Sequence, residues 1–133
     1  MRALTLTQPW ASAVAVGIKR VETRSWATAY RGPLAIHAAK TMPKAAKEFY
    51  QEQWSLGRRL PSPLPLSAVV AVAELVGIET TEDAAPFLSR TELEFGNYGP
   101  LRFAWFLENV EALETPVPAR GALGLWEWER TNE

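Results

Sequence analysis

Apolar and polar positions alternate between two periods along the chain, and the switches mark the elements. ALTLT (3–7) has the two-residue alternation of a short strand. In the next stretch the spacing lengthens to that of a helix over about 8–16. Thr7 is expected as its N-cap, Pro9 lies in its first turn, and Gly17 ends it. Trp10, Val14 and Ile18 would share one apolar face. RVETRSW reads as a short charged extended segment, and YRGPLAIHAAK as a turn at Gly32-Pro33 followed by a strand over about 33–38.

TMPKAAKEFYQEQWSLG predicts a second helix, capped by Thr41, with Pro43 in its first turn and Gly57 at its end. RRLPSPLPL is a proline-rich loop, too short for a domain linker. SAVVAVAELVGIET is a long β-leaning run, and TTEDAAPFLSRTELEFGNYGP is short helix and loop. LRFAWFLENVEALETP is a further strand with a bend expected near Asn109, and RGALGLWEWER is a last strand. The order is strand, helix, two strands, helix, then three strands interrupted by a small helical insertion. Long antiparallel runs with few crossover helices predict an α+β fold: a small mixed β-barrel with flanking helices, not a doubly wound sheet.

Length changes this picture little: 133 residues suit one domain. The chain has no cysteine and one histidine, which removes disulfides and thiolate sites and predicts no metal centre. No cofactor is expected, since neither a GxGxxG nor a GxxxxGK[ST] loop is present. No apolar run approaches the roughly 20 residues of a membrane span, and the first residues lack a signal peptide's apolar core. A cytoplasmic protein without a membrane partner is the resulting expectation.

Charge is more informative. The net charge is −1, yet residues 1–60 hold ten Lys and Arg against three Glu, and residues 61–133 hold four basic against twelve acidic residues. A basic first half suits a phosphate-bearing partner such as RNA; the bland reading is that the halves attract one another across the fold. An acidic second half also fits a protein-interaction module.

The densest charge lies in GIKRVETRSW (17–26). On an extended segment Glu22 and Arg24 share a face, and Val21 and Thr23 take the other. Lys19 sits at the helix–strand corner, within reach of the charged side. An Arg fork binds a carbonyl, phosphate or base edge, and a desolvated Lys can serve as nucleophile or base. The alternative is a surface ion pair worth about 0–1 kcal/mol. Aromatic residues near the motif, Trp10, Trp26 and Tyr98, offer faces on which a base can stack, whereas Trp105 and Trp126 read as core. Arg31 would cap a loop or contact phosphate. Ser25 joins the ligand-contact candidates, because no histidine beside it supports a nucleophile. His37, alone in the apolar run LAIHA, reads as structural. Lys40, Lys44 and Lys47 read as a solvated basic face or a track for an RNA backbone.

GIKRVETR resembles the GxKxxExR signature of the ASCH family, which has a PUA-like fold. LTLTQPWA, RSW, YRGPLAIHAAK, FGNYGP, FAWFLENV and GALGLWEW follow in family-like order, so the resemblance spans nearly the whole chain as one ASCH/PUA-like domain over 1–133. Leu101 departs from the pattern, because similar proteins tend to have glycine after that proline. The resemblance implies a small barrel whose signature lines a cleft beside the first helix. It also implies binding of RNA, or of a modified nucleobase or nucleoside. Some members resemble amidohydrolases that deacetylate N4-acetylcytidine, and others are ribonucleases. The amidohydrolase pattern takes the signature lysine, here Lys19, a threonine where this chain has Glu22, and a downstream glutamate, which would be Glu92 or Glu94. In that chemistry Lys19 would activate water or attack the acyl carbon, and Arg24 would steady the oxyanion.

Overall fold

The computed structural model describes residues 1–130. The elements are β1 (Arg2–Leu6), α1 (Trp10–Ala15), β2 (Val21–Arg24), β3 (Gly32–Ala38), α2 (Lys44–Ser55) and β4 (Ala68–Thr80). They continue with α3 (Thr81–Ala84), a 3-10 turn (Ala85–Phe87), α4 (Arg90–Glu94), β5 (Phe103–Pro118) and β6 (Leu125–Glu127). The order is the one the patterning predicts.

All six strands join one curled, half-barrel sheet in the order β2-β5-β4-β3-β1-β6. Only β1 and β3 run parallel; every other pair is antiparallel. The long β4–β5 ribbon has three register shifts, at Val69/Ala71, Val72/Glu74 and Leu75/Gly77. The first places three extra residues on β5, the second one on β5 and the third one on β4, and such irregularities bend and twist a ribbon. Asn109, with φ of 51°, sits at the expected bend. The curl lets β5 pair with β4 along its length while its first residues also hold β2.

The concave side is filled by Leu4, Leu6, Leu34, Ile36, Val70, Leu75, Trp105 and Leu107 around Val14 of α1. Trp105 is fully buried, its Nε1 donates to the Trp26 carbonyl at 3.1 Å, and its ring meets Trp26 edge-on at 4.8 Å. Trp126 is half-buried and packs with Trp128 against Ala3, Ala35 and Val69.

Three local expectations are corrected. Thr7 does not cap α1 with its side chain. The longer Gln8 does so instead, its Oε1 accepting from Ser12 N at 2.9 Å and its Nε2 donating to Ser12 Oγ and the Pro65 carbonyl. Thr41 does not cap α2, because Pro43 itself occupies the N-cap, two residues further on. Trp10, Val14 and Ile18 do not share a face. Gly17 turns the chain out of the helix at φ of +86°, so Ile18 falls out of helical register and packs with Trp10 on Ala13, Leu60 and Phe95. Val14 enters the main core. The last strand, Leu125–Glu127, is also shorter than its sequence run, with Trp128 bonded to Met1 just beyond it.

Leu101, the residue that departs from the family pattern, has φ of +60° and is 87% exposed. A left-handed conformation costs a side-chain-bearing residue about 1–2 kcal/mol, partly offset in glycine by its freer unfolded chain. Leu101→Gly therefore loses no burial and is expected to raise stability by up to about 1 kcal/mol in urea denaturation.

Candidate functional site

The signature is built by one turn and one short strand. After α1, the N–H groups of Ile18 and Lys19 both reach back to the Ala13 carbonyl, at 3.0 and 3.1 Å. A Cβ on Gly17 would meet nothing within 4 Å, so its requirement is conformational, not steric. The turn drops Lys19 into the interior, where it is 0% exposed. Its Nζ donates to the Val21 carbonyl at 2.6 Å and the Phe95 carbonyl at 2.7 Å, and faces Glu22 Oε1 at 3.5 Å. Two of the ammonium's protons thus go to carbonyls, and Glu22 stands opposite as the countercharge.

Glu22 bridges two cations. Its other oxygen, Oε2, accepts from Arg24 Nη1 at 3.3 Å, and the same Nη1 lies 3.3 Å from the Thr5 carbonyl. The Arg24 guanidinium also lies 5.8 Å from the Trp26 ring centroid. Val21 and Thr23 are buried, and the Thr23 hydroxyl, beside Gly96, accepts from Asn97 N at 2.9 Å.

Glu92 performs the reciprocal service. Its carboxylate accepts from the backbone N–H groups of Arg20, at 2.8 Å, and Val21. Ser89 and Glu92 have capping-box spacing, and Ser89 Oγ does accept from Glu92 N at 3.1 Å. The carboxylate, however, leaves its own helix for the signature corner, so Glu92 supports the site without lining it.

The resulting cleft has a volume of about 320 Å³, within the range of small-molecule sites. Glu22, Thr23 and Arg24 form one wall. Trp10 and Phe49 stack at 5.3 Å with 20° between their planes, and Phe49 meets Phe95 edge-on at 5.1 Å. Thr7, Glu94, Gly96 and Asn97 complete the lining. Arg58 holds Glu94 at 2.7 Å.

Of the predicted residues, the structure brings together Lys19, Glu22, Arg24 and Trp10, with Lys19 behind the wall. Trp26 is half-buried against Trp105, Ser25 is exposed at the end of β2, and neither lines the cleft. Arg31 donates to the Thr28 and Tyr30 carbonyls, both at 2.8 Å, and so caps its own loop. Tyr98 packs under Gly96 beside Val21, Ala84 and Ala104, outside the lining. Its hydroxyl is buried without a partner among the described residues. Burial, and then the negative charges of Glu92 and Glu22, push that phenol above the usual tyrosine range. Phe49, Phe95, Thr7 and Asn97 carried no signal in the sequence as cleft residues, because they come from separate segments. The family-like motifs LTLTQPWA and FGNYGP hold Thr7, Phe95 and Asn97, and the segment of Phe49 has no such cue.

A curled half-barrel sheet with a small cleft between α1 and β2 places the chain among small barrel-like α+β domains. The residues matched by the ASCH domain family model, 4–117, cover most of the chain, which belongs to the ASCH domain family. It is 38% identical over 129 residues to human activating signal cointegrator 1 and 27% identical over 132 residues to the mouse protein. Each alignment covers 92% of this chain and 21% of the relative, so the chain spans about a fifth of those proteins. In fold it is similar to ASCH from Zymomonas mobilis, with a TM-score of 0.57, 17% identity, and coverage of 97% of this chain and 87% of that one. A serine-to-alanine point mutant of the same bacterial protein superposes with a TM-score of 0.56, at 16% identity and the same coverage.

Removing one partner of a buried pair leaves uncompensated polar groups, so Lys19→Ala is expected to cost about 3–5 kcal/mol in urea denaturation. Glu94→Ala, at the partly exposed rim, should cost no more than about 1 kcal/mol. For Tyr98 the raised folded-state pKa means that its contribution is complete below about pH 10, the unfolded value, and declines as pH rises beyond it. Tyr98→Phe is expected to be neutral or stabilising at neutral pH and to flatten the alkaline loss of stability, measured by denaturation across the alkaline range.

Proposed function

We propose that this chain is a binding module whose cleft takes a nucleobase of RNA or a modified nucleoside. The observation that carries the reading is the pairing of a stacked aromatic wall, Trp10 on Phe49, with the Glu22–Arg24 edge across a cleft of about 320 Å³. A base has flat apolar faces and a rim of donors and acceptors. Stacking on an aromatic side chain is worth roughly 1–3 kcal/mol per base. Glu22 can accept from an amino or imino group, and the Arg24 fork can donate to a ring carbonyl.

Lys19 supports this reading over the hydrolytic ones. A nucleophile or base must present a lone pair to the substrate. Here the amine is fully buried, donates to two carbonyls and faces Glu22. This favours a lysine that shapes the wall over one that attacks N4-acetylcytidine or a phosphodiester. The relatives' name, activating signal cointegrator 1, belongs to proteins of which this chain covers a fifth. Their wider activity is not carried over.

The test is calorimetric titration with cytidine and N4-acetylcytidine, with chromatography of the mixtures for deacetylation. Trp10→Ala is expected to weaken binding by roughly 5- to 150-fold, the equivalent of one lost stacking contact. Deacetylation by the wild type would overturn the binding-only reading, and binding indifferent to Trp10→Ala would remove the base from this cleft.

A further inference from the structure

A second cleft lies on the other side of β1, with a volume of about 440 Å³. Thr5 divides the two. Its carbonyl holds Arg24 at the first cleft, and its side chain lines the second. The floor of the second cleft is a hydrogen-bonded chain. The Trp126 indole N–H donates to Thr5 Oγ1 at 3.1 Å, and Thr5 Oγ1 lies 3.0 Å from His37 Nδ1. His37 Nε2 faces the Ala119 carbonyl at 2.7 Å. A carbonyl only accepts, so Nε2 carries the proton, and the Thr5 hydroxyl is free to donate to Nδ1. Gly121 lies directly on this floor. A Cβ there would come within 2.7 Å of both His37 Cε1 and Thr5 Oγ1, so only glycine lets the loop settle on it.

The two clefts differ in how their charges are paired: in the first the acids are matched by cations, in the second the cations face no acid. The first is lined by two acids, Glu22 and Glu94, and one base, Arg24. The second is lined by Lys40 and Arg120 and no acid, with the Ser67 hydroxyl beside them. Both cations are exposed, and neither pairs with a carboxylate among the described residues. The loop backbone from Arg120 to Leu123 donates no hydrogen bond within the described residues. Two free cations, a hydroxyl and unengaged N–H groups form the donor set that an oxyanion needs. In the first cleft the one lining cation, Arg24, is already engaged by Glu22 and the Thr5 carbonyl.

We propose that the second cleft binds a phosphodiester of a single-stranded RNA through Lys40 and Arg120. This rests on the reading of the first cleft as the base site. Thr7 lines that cleft and Thr5 the other, two residues apart on the chain, so the two clefts are neighbours.

The experiment is fluorescence anisotropy of a short end-labelled single-stranded RNA across a potassium chloride series. It uses the wild type, Lys40→Ala, Arg120→Ala, the double variant and Trp10→Ala, with cytidine binding measured alongside. A single-strand phosphate contact contributes about 0.7 to the slope of log K against log salt. The double variant is expected to bind RNA more weakly, with the slope reduced by about 1.4, and to keep wild-type cytidine affinity. Trp10→Ala should weaken RNA and cytidine alike and leave the slope unchanged. RNA binding with an unaltered slope in the double variant overturns the proposal and leaves the base reading standing. Loss of slope in the double variant, with no effect of Trp10→Ala and no cytidine binding, keeps the phosphate site and removes the base reading. A wild type that binds cytidine but no RNA also overturns the proposal. Inorganic phosphate separates the two anion sources. If it shifts the Gly121 and Ala122 amide resonances in the wild type and not in the double variant, while RNA binding is unchanged between them, the cleft holds small phosphate ions and the RNA assignment fails.

Discussion

Two segments distant in sequence are locked by an exchange of charge for backbone. Lys19 gives its amine to the Phe95 carbonyl, and Glu92 gives its carboxylate to the Arg20 and Val21 N–H groups. Each side chain satisfies main-chain groups that are otherwise left without partners at a helix–strand corner and at a helix end. The lock is buried, so neither water nor salt competes for it effectively. It sets β2 at the sheet edge and brings Phe95, Gly96 and Asn97 opposite Glu22 and Arg24. The first cleft is the space left between the two locked segments.

The signature therefore divides its labour. Gly17 supplies the left-handed turn, Lys19 ties down the distant segment, and Glu22 spans from the buried amine to Arg24 at the cleft. Only Glu22 and Arg24 of these line the cleft. A charged motif of this kind joins the interior to the cleft wall, because a carboxylate has two oxygens and can face inward with one and outward with the other. Thr5 has the same double character across β1, with its carbonyl at one cleft and its hydroxyl at the other.

The charge asymmetry of the chain resolves in space into something neither half predicts alone. Some of the attraction between halves is real: Arg2 faces Glu127 at 3.4 Å and Arg58 meets Glu94 at 2.7 Å. Yet Arg24 stays with Glu22 from its own half, and Lys40 is joined across the sheet by Arg120 from the acidic half. A cleft of paired charges and a cleft of unpaired cations thus meet the chain two residues apart, at Thr7 and Thr5.

Local sequence was enough to establish the order of the elements, the bend near Asn109, the alternation that buries Val21 and Thr23, and the family of the fold. All of these rest on periodicity, turn chemistry or contiguous motifs, which are legible over a few residues. Local sequence did not reveal that Gln8 replaces Thr7 as the cap, that Tyr98 turns into a small core beside Val21, or that Phe49 and Asn97 line the cleft. Nor did it separate the burial of Lys19 from the exposure of Lys40. Those outcomes depend on which segments the curled sheet brings into contact, and lysines of equal local polarity are sorted only by the acceptors that the tertiary structure places around them.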